Sequence, residues 1–133
     1  MTKTKVKVYG FHLDMYGHVN NARYLEFLES ARWEFIAENM NLRDLDKLGI
    51  AFLVVNININ YRLPATIGQT LEIETRMAHI SAKSAKVHQE IRIKGQDQLV
   101  ADADITFVII DAKLKKVLSI KGEVKTIIDK FGN

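Results

Sequence analysis

The sequence contains no cysteine, and that single absence removes disulfides, a cysteine nucleophile, thiolate metal sites and iron–sulfur clusters together. A reducing compartment is consistent with it. Proline occurs once, at Pro64, and there is no repeat, low-complexity tract or long linker, so residues 1–133 read as a single domain. Long apolar runs are missing too. The longest, Ile50 to Val55, has six residues, against the ~20 needed to span a bilayer. The first residues, Met1 to Lys7, alternate charge with apolar side chains and build no export signal. A cytoplasmic protein with no membrane insertion is expected. Net charge is also scarce: 19 Lys and Arg against 16 Asp and Glu give +3, spread evenly over both halves. No clustered basic face of the kind that binds nucleic acid is visible.

Several catalytic devices are absent as well. The four histidines, His12, His18, His79 and His88, include no pair at helical i, i+4 spacing, and no cysteine can join them. Gly10 and Gly17 are too far apart for a phosphate loop. Ser30, Ser81, Ser84 and Ser119 lie in no Gly-x-Ser-x-Gly elbow. Neither a metal nor a cofactor is expected, and a serine hydrolase is disfavoured.

What is present is an ordinary globular composition, 47% hydrophobic and 26% charged. Residues 5–11 alternate as a half-buried strand. From Ala22 to about Asn39 the period is helical: Tyr24, Phe27, Leu28, Ala31 and Phe35 form one stripe, widened by Leu25 and Ile36. Either Asn20 or Asn21 can cap its start. Residues 41–49 read as a short helix stopped by Gly49. Four strands follow between Ile50 and Asp111. Val55, Ile57, Ile59 and Tyr61 share one face of the first, opposite Asn56, Asn58 and Asn60. The breaks at 64–68, 81–84 and 95–98 are short, which favours antiparallel hairpins. A short helix at about 123–131 completes an α+β fold: an antiparallel sheet curled around one long, largely buried helix.

The segment Asp14 to Asn21 precedes that helix. A helix N-terminus offers unpaired N–H groups and about half a positive charge, which can hold the oxyanion formed at an acyl carbonyl. Asp14 is the one carboxylate in this loop. It is either a base or nucleophile beside those donors, or a turn residue bonding its own backbone.

Residues 12–33, HLDMYGHVNNARYLEFLESARW, resemble the signature of hotdog-fold acyl-CoA thioesterases of the 4-hydroxybenzoyl-CoA thioesterase family. Residues 54–65, VVNININYRLPA, and 101–111, ADADITFVIID, resemble its long-chain acyl-CoA thioesterase III subgroup, associated with fatty-acid β-oxidation. The resemblance covers nearly the whole chain. It implies a hotdog fold, hydrolysis of acyl-CoA to free acid and coenzyme A, and a homodimer or homotetramer whose sheets join edge to edge.

Position by position, the resemblance makes Asp14 the catalytic carboxylate and puts the carbonyl-polarising N–H on Asn21. Gly17 and His18 fall in the loop that approaches the thioester, where His18 either orients Asp14 or water, or bonds backbone. Asn20 is a cap that can also bond Asp14 or water, and Tyr24 is helix core beside the substrate. Some relatives use a further acid on the strand after the helix; here that strand offers Asn56, Asn58 and Asn60 and no acid, and Asn60 can at most position water. Arg62, Lys83 and Lys86 are candidate contacts for the phosphates of coenzyme A, or solvated strand-end cations. Glu29 and Arg32 are spaced for a structural ion pair. An apolar groove beside Phe27 and Leu28 is the expected home of the acyl chain. Three rivals stand beside this reading: a thioesterase for acyl carrier protein or aromatic acyl-CoA, a hydratase or dehydratase, which the Asp14–Asn21 motif disfavours, and a non-catalytic acyl-CoA binding module.

Overall fold

The computed structural model describes residues 1–44 and 46–132. Its elements run β1 (Thr2–Lys7), α1 (Asn21–Asn39), β2 (Ile50–Tyr61), β3 (Thr70–Ile80), β4 (Ala85–Ile93), β5 (Leu99–Asp111) and α2 (Gly122–Asp129). The strands form one antiparallel sheet in the order β1-β3-β4-β5-β2. No helix among the described residues is long and apolar enough to cross a membrane.

One face of the sheet closes over α1, the hotdog arrangement. Tyr24, Phe27, Leu28 and Ala31 pack with Leu71 and Ile73 of β3, Ile91 of β4, and Ala101, Ala103 and Ile105 of β5. The expected stripe is the buried face, but Leu25 is exposed and does not widen it. The small Ala101 and Ala103 leave room for the bulky helix side chains above them.

Four local expectations change. The first strand lies earlier, at Thr2–Lys7, and Gly10–His12 form a 3₁₀ turn. Thr2 and Thr4 are buried there, donating to Glu38 and Glu34 of α1, and a polar pair of this kind leaves no apolar period to read. β2 and β3 are not a hairpin: β2 pairs with β5, and β3 pairs with β1 and β4. Third, the β2 register shifts between Val54 and Asn56. That bulge moves Val55 off the apolar face and lets Phe52 and Val54 continue the face of Ile57, Ile59 and Tyr61. Fourth, 41–49 holds two 3₁₀ turns, Leu42–Asp44 and Asp46–Leu48, rather than one α-helix, and Leu45 lies outside the described residues.

β1 and β2 are the two sheet edges. The β1 edge carries Lys3, Lys5 and Lys7, which discourage pairing with another strand. The β2 edge carries exposed Leu53, Val54, Val55 and Ile57.

Candidate active site

The loop between the 3₁₀ turn and α1 is held from both sides. Asp14 N–H donates to His18 carbonyl at 2.8 Å, and Gly17 N–H to Asp14 carbonyl at 3.1 Å. Gly17 has φ +77°, a left-handed conformation that glycine adopts without strain. Val19 N–H bonds Ala65 carbonyl at 2.9 Å, and His18 bridges Thr66, so the loop is anchored to the segment following β2.

Within it, Asp14 Oδ1 accepts from Tyr16 N–H at 2.8 Å and His18 N–H at 3.2 Å. The turn role weighed for Asp14 is therefore real. It occupies only one carboxylate oxygen, and Asp14 also lines a cavity of about 260 Å³ at the start of α1. His18, Asn21, Tyr24, Tyr61 and Arg62 line the same cavity.

Asn20 is the cap. Its Oδ1 accepts from Ala22 N–H at 2.9 Å, and it does not bond Asp14. Asn21 is then the first helical residue, and its N–H has no intrahelical partner. Its carbonyl accepts from Tyr61 Oη at 3.1 Å. Tyr24 is both core and cavity wall: it is buried, its Oη accepts from Ala65 N–H at 3.2 Å, and its ring lies 5.5 Å from that of Tyr61. Burial pushes the Tyr24 phenol above its ordinary pKa, against the opposing effect of the Ala65 bond. The hydroxyl keeps its proton at neutral pH.

Arg62 reaches the cavity but its guanidinium is paired with Asp102, which also accepts from Asn60 Nδ2 at 3.2 Å. The Arg62 guanidinium holds the Asp102 carboxyl below the usual range, with a smaller contribution from Asn60 and against desolvation. Asn60 consequently faces β5 and is not brought to the cavity, because the alternation beyond the bulge turns it away from Ile59 and Tyr61. Lys83 and Lys86 are not brought there either. Their hairpin lies at the Phe107 end of β5, whereas Tyr61 pairs with Ala101, about 20 Å away along the strand.

Tyr61 is the residue that sequence reasoning took only for an apolar position. The available signal was its place at the end of the apolar face, just before Arg62 and Pro64.

Glu29 and Arg32 do not form the expected ion pair. Arg32 turns under the helix, where Nη1 donates to Gln89 Oε1 at 3.1 Å. Gln89 is fully buried and donates to Leu28 carbonyl and Thr75 Oγ1, both at 3.0 Å. Desolvation lowers the Arg32 pKa, partly offset by the charge of Glu29. Beyond Arg32 lies a second, apolar cavity of about 350 Å³ between α1, β2 and α2. Its walls include Phe35, Ile36 and Phe52. Phe27 and Leu28, expected to line such a groove, are instead packed into the core.

The model of the Thioesterase-like superfamily matches residues 10–128. The chain is 48% identical over 123 residues to the long-chain acyl-CoA thioesterase FadM of Escherichia coli (strain K12), covering 92% of this chain and 93% of that protein. It is 29% identical to the acyl-CoA thioesterase YbgC of Haemophilus influenzae, over 90% of this chain and 88% of the relative. Among solved structures, the probable thioesterase YbaW from Escherichia coli superposes with a TM-score of 0.93 at 44% identity, covering 100% of both chains.

Proposed function

The chain belongs to the thioesterase-like superfamily, and we propose that it is a hydrolase cleaving long-chain acyl-CoA to free fatty acid and coenzyme A. The observation that carries the reading is the convergence of the Asp14 carboxylate and the start of α1 at Asn21 on one cavity. The thioester carbonyl oxygen sits against the Asn21 N–H, where the helix end favours developing negative charge. Asp14 Oδ1 is held by backbone donors, which leaves its other oxygen to act on the thioester carbon or on water. Two routes remain open. As general base, Asp14 takes a proton from water while the water oxygen bonds the carbonyl carbon. The C–S bond then breaks and the coenzyme A thiolate leaves to be protonated. As nucleophile, Asp14 bonds the carbonyl carbon directly, expels the thiolate, and leaves a mixed anhydride that water hydrolyses.

The remaining cavity residues take supporting roles. Gly17 shapes the turn, Tyr24 and Tyr61 wall the site, and His18 borders the path of water. Arg62, held by Asp102, is the nearby cation for a phosphate of coenzyme A. Lys83 and Lys86 contribute to coenzyme A binding only by reaching a neighbouring subunit's site.

In this reading the 133 residues act as one hotdog domain in the cytoplasm, on acyl-CoA of fatty-acid β-oxidation. The working form is a homodimer or homotetramer joined through β2, whose edge is apolar and uncharged where the β1 edge carries lysines. Tyr61 and Arg62 end that strand, so the seam runs beside the site. Thiol release from a panel of acyl-CoAs tests the activity, with release from long-chain substrates expected and silence on all of them contradicting it. Gel filtration tests the assembly, and a 15.2 kDa species would contradict it.

A further inference from the structure

The apolar cavity beyond Arg32 is bounded on its α2 side. Ile128 of α2 and Phe131, just after it, form that wall. Phe131 is 4% exposed, and its ring lies 5.4 Å from Phe35 and 6.2 Å from Phe52. The backbone fixes it there, since Phe131 N–H donates to Ile128 carbonyl at 3.0 Å. The ring is therefore packed on one side and borders empty apolar space on the other. Protein packing is dense, and a cleft of about 350 Å³ that opens to solvent at its Glu29, Trp33 and Asp46 rim leaves Phe35, Phe52 and Phe131 short of dispersion contacts that an apolar occupant supplies.

The position of this void along α1 says which occupant suits it. Glu29, at its rim, lies about 12 Å along the helix axis from Asn21, and Phe35 about 21 Å. Exposed Leu25 and Ile57 lie between, an apolar path on α1 and β2. An acyl chain whose carbonyl rests at Asn21 reaches the void only with its distal methylenes, and a short chain does not reach it at all. The far end offers the rings of Phe35, Phe52 and Phe131 and no hydrogen-bond donor, which suits an unsubstituted hydrocarbon terminus.

We propose that Phe131 is the chain-length stop of this enzyme, a specificity-determining residue whose ring meets the terminal methyl group of the longest acyl chain accepted. The proposal rests on the thioesterase reading above. Each methylene admitted to the void raises kcat/KM about fourfold, and the gain ends where the ring begins.

The test is thiol release from decanoyl-, tetradecanoyl- and octadecanoyl-CoA by wild type, Phe131→Ala, Phe131→Leu and Phe131→Trp. The quantity read is the octadecanoyl-to-decanoyl ratio of kcat/KM, which cancels any loss of folded enzyme within one preparation. The ratio is expected to rise about tenfold or more in Phe131→Ala, to rise less in Phe131→Leu, and to fall in Phe131→Trp. The leucine and tryptophan variants decide the matter if the alanine variant does not fold. A ratio equal to wild type in both overturns the stop while leaving the hydrolase intact. A wild type inactive on all three thioesters overturns the hydrolase reading and the stop with it.

Discussion

The Tyr61 hydroxyl donates to the Asn21 carbonyl at 3.1 Å, tying the last residue of β2 to the first residue of α1. β2 is an edge strand, so this bond joins the part of the sheet least constrained by neighbours to the helix end proposed to polarise the substrate.

Tyr61→Phe removes the hydroxyl and keeps the ring against Tyr24. Because Tyr61 is about half exposed, the loss in stability is expected to stay near or below 1 kcal/mol. The effect on kcat/KM is expected to be larger than that on Tm, about tenfold, since Asn21 loses its tether. Steady-state thiol release alongside a thermal melt checks this. Unchanged kcat/KM would assign the bond to packing alone.

His12 supplies a pH dependence. Desolvation, aided by the charge of Arg23 and opposed by Glu26, lowers its pKa below the ordinary 6.5. Its Nδ1 accepts from Tyr9 N–H at 2.9 Å, a bond that requires the unprotonated nitrogen. As pH falls, the unfolded chain binds this proton before the folded one does. The stabilisation is thus complete above the unfolded value and is lost as pH falls from there towards the depressed folded value. Urea midpoints measured from about pH 7.5 to about pH 5.5 should drop in wild type. His12→Asn keeps an acceptor without titrating, and its slope should be shallower. Equal slopes would contradict the assignment.

Arg32 and Gln89 make a polar layer inside the core. Gln89→Leu leaves the Arg32 guanidinium, the Leu28 carbonyl and the Thr75 hydroxyl short of partners, at an expected cost of about 1–3 kcal/mol. Arg32→Met combined with Gln89→Leu should recover part of that loss, because the second change removes the stranded charge. Urea unfolding of both singles and the double measures the coupling. Strict additivity would mean that the two side chains stabilise independently.

The long helix was legible because its apolar stripe repeats from Tyr24 to Phe35 and Asn20 supplies a cap of known chemistry. The polar packing of Thr2 and Thr4 against Glu38 and Glu34 was not, since hydroxyl–carboxylate contacts leave no hydrophobic period. Neither was the pairing of β2 with β5, which lies far along the chain, because the short break between β2 and β3 favours a hairpin between those two strands. The bulge between Val54 and Asn56 hid which face Phe52 occupies, because a single extra residue inverts the alternation. At the site, Asp14 and Asn21 are close in sequence and could be read together. Tyr61 arrives by tertiary folding, and Asn60, although its alternation opposite Ile59 and Tyr61 was legible, was given a place in the site that its bond to Asp102 on the other face denies it.

The central claim is that the Asp14 carboxylate carries the chemistry and does more than hold its turn. Asp14→Asn separates the two roles: the amide oxygen still accepts from Tyr16 and His18 N–H groups, while the charge and basicity are gone. Thiol release from tetradecanoyl-CoA by this variant, beside a thermal melt, is the measurement. The account predicts a fall in kcat of about 10²–10⁴-fold with a Tm close to wild type. Hydrolysis at the wild-type rate by a folded Asp14→Asn protein would contradict it.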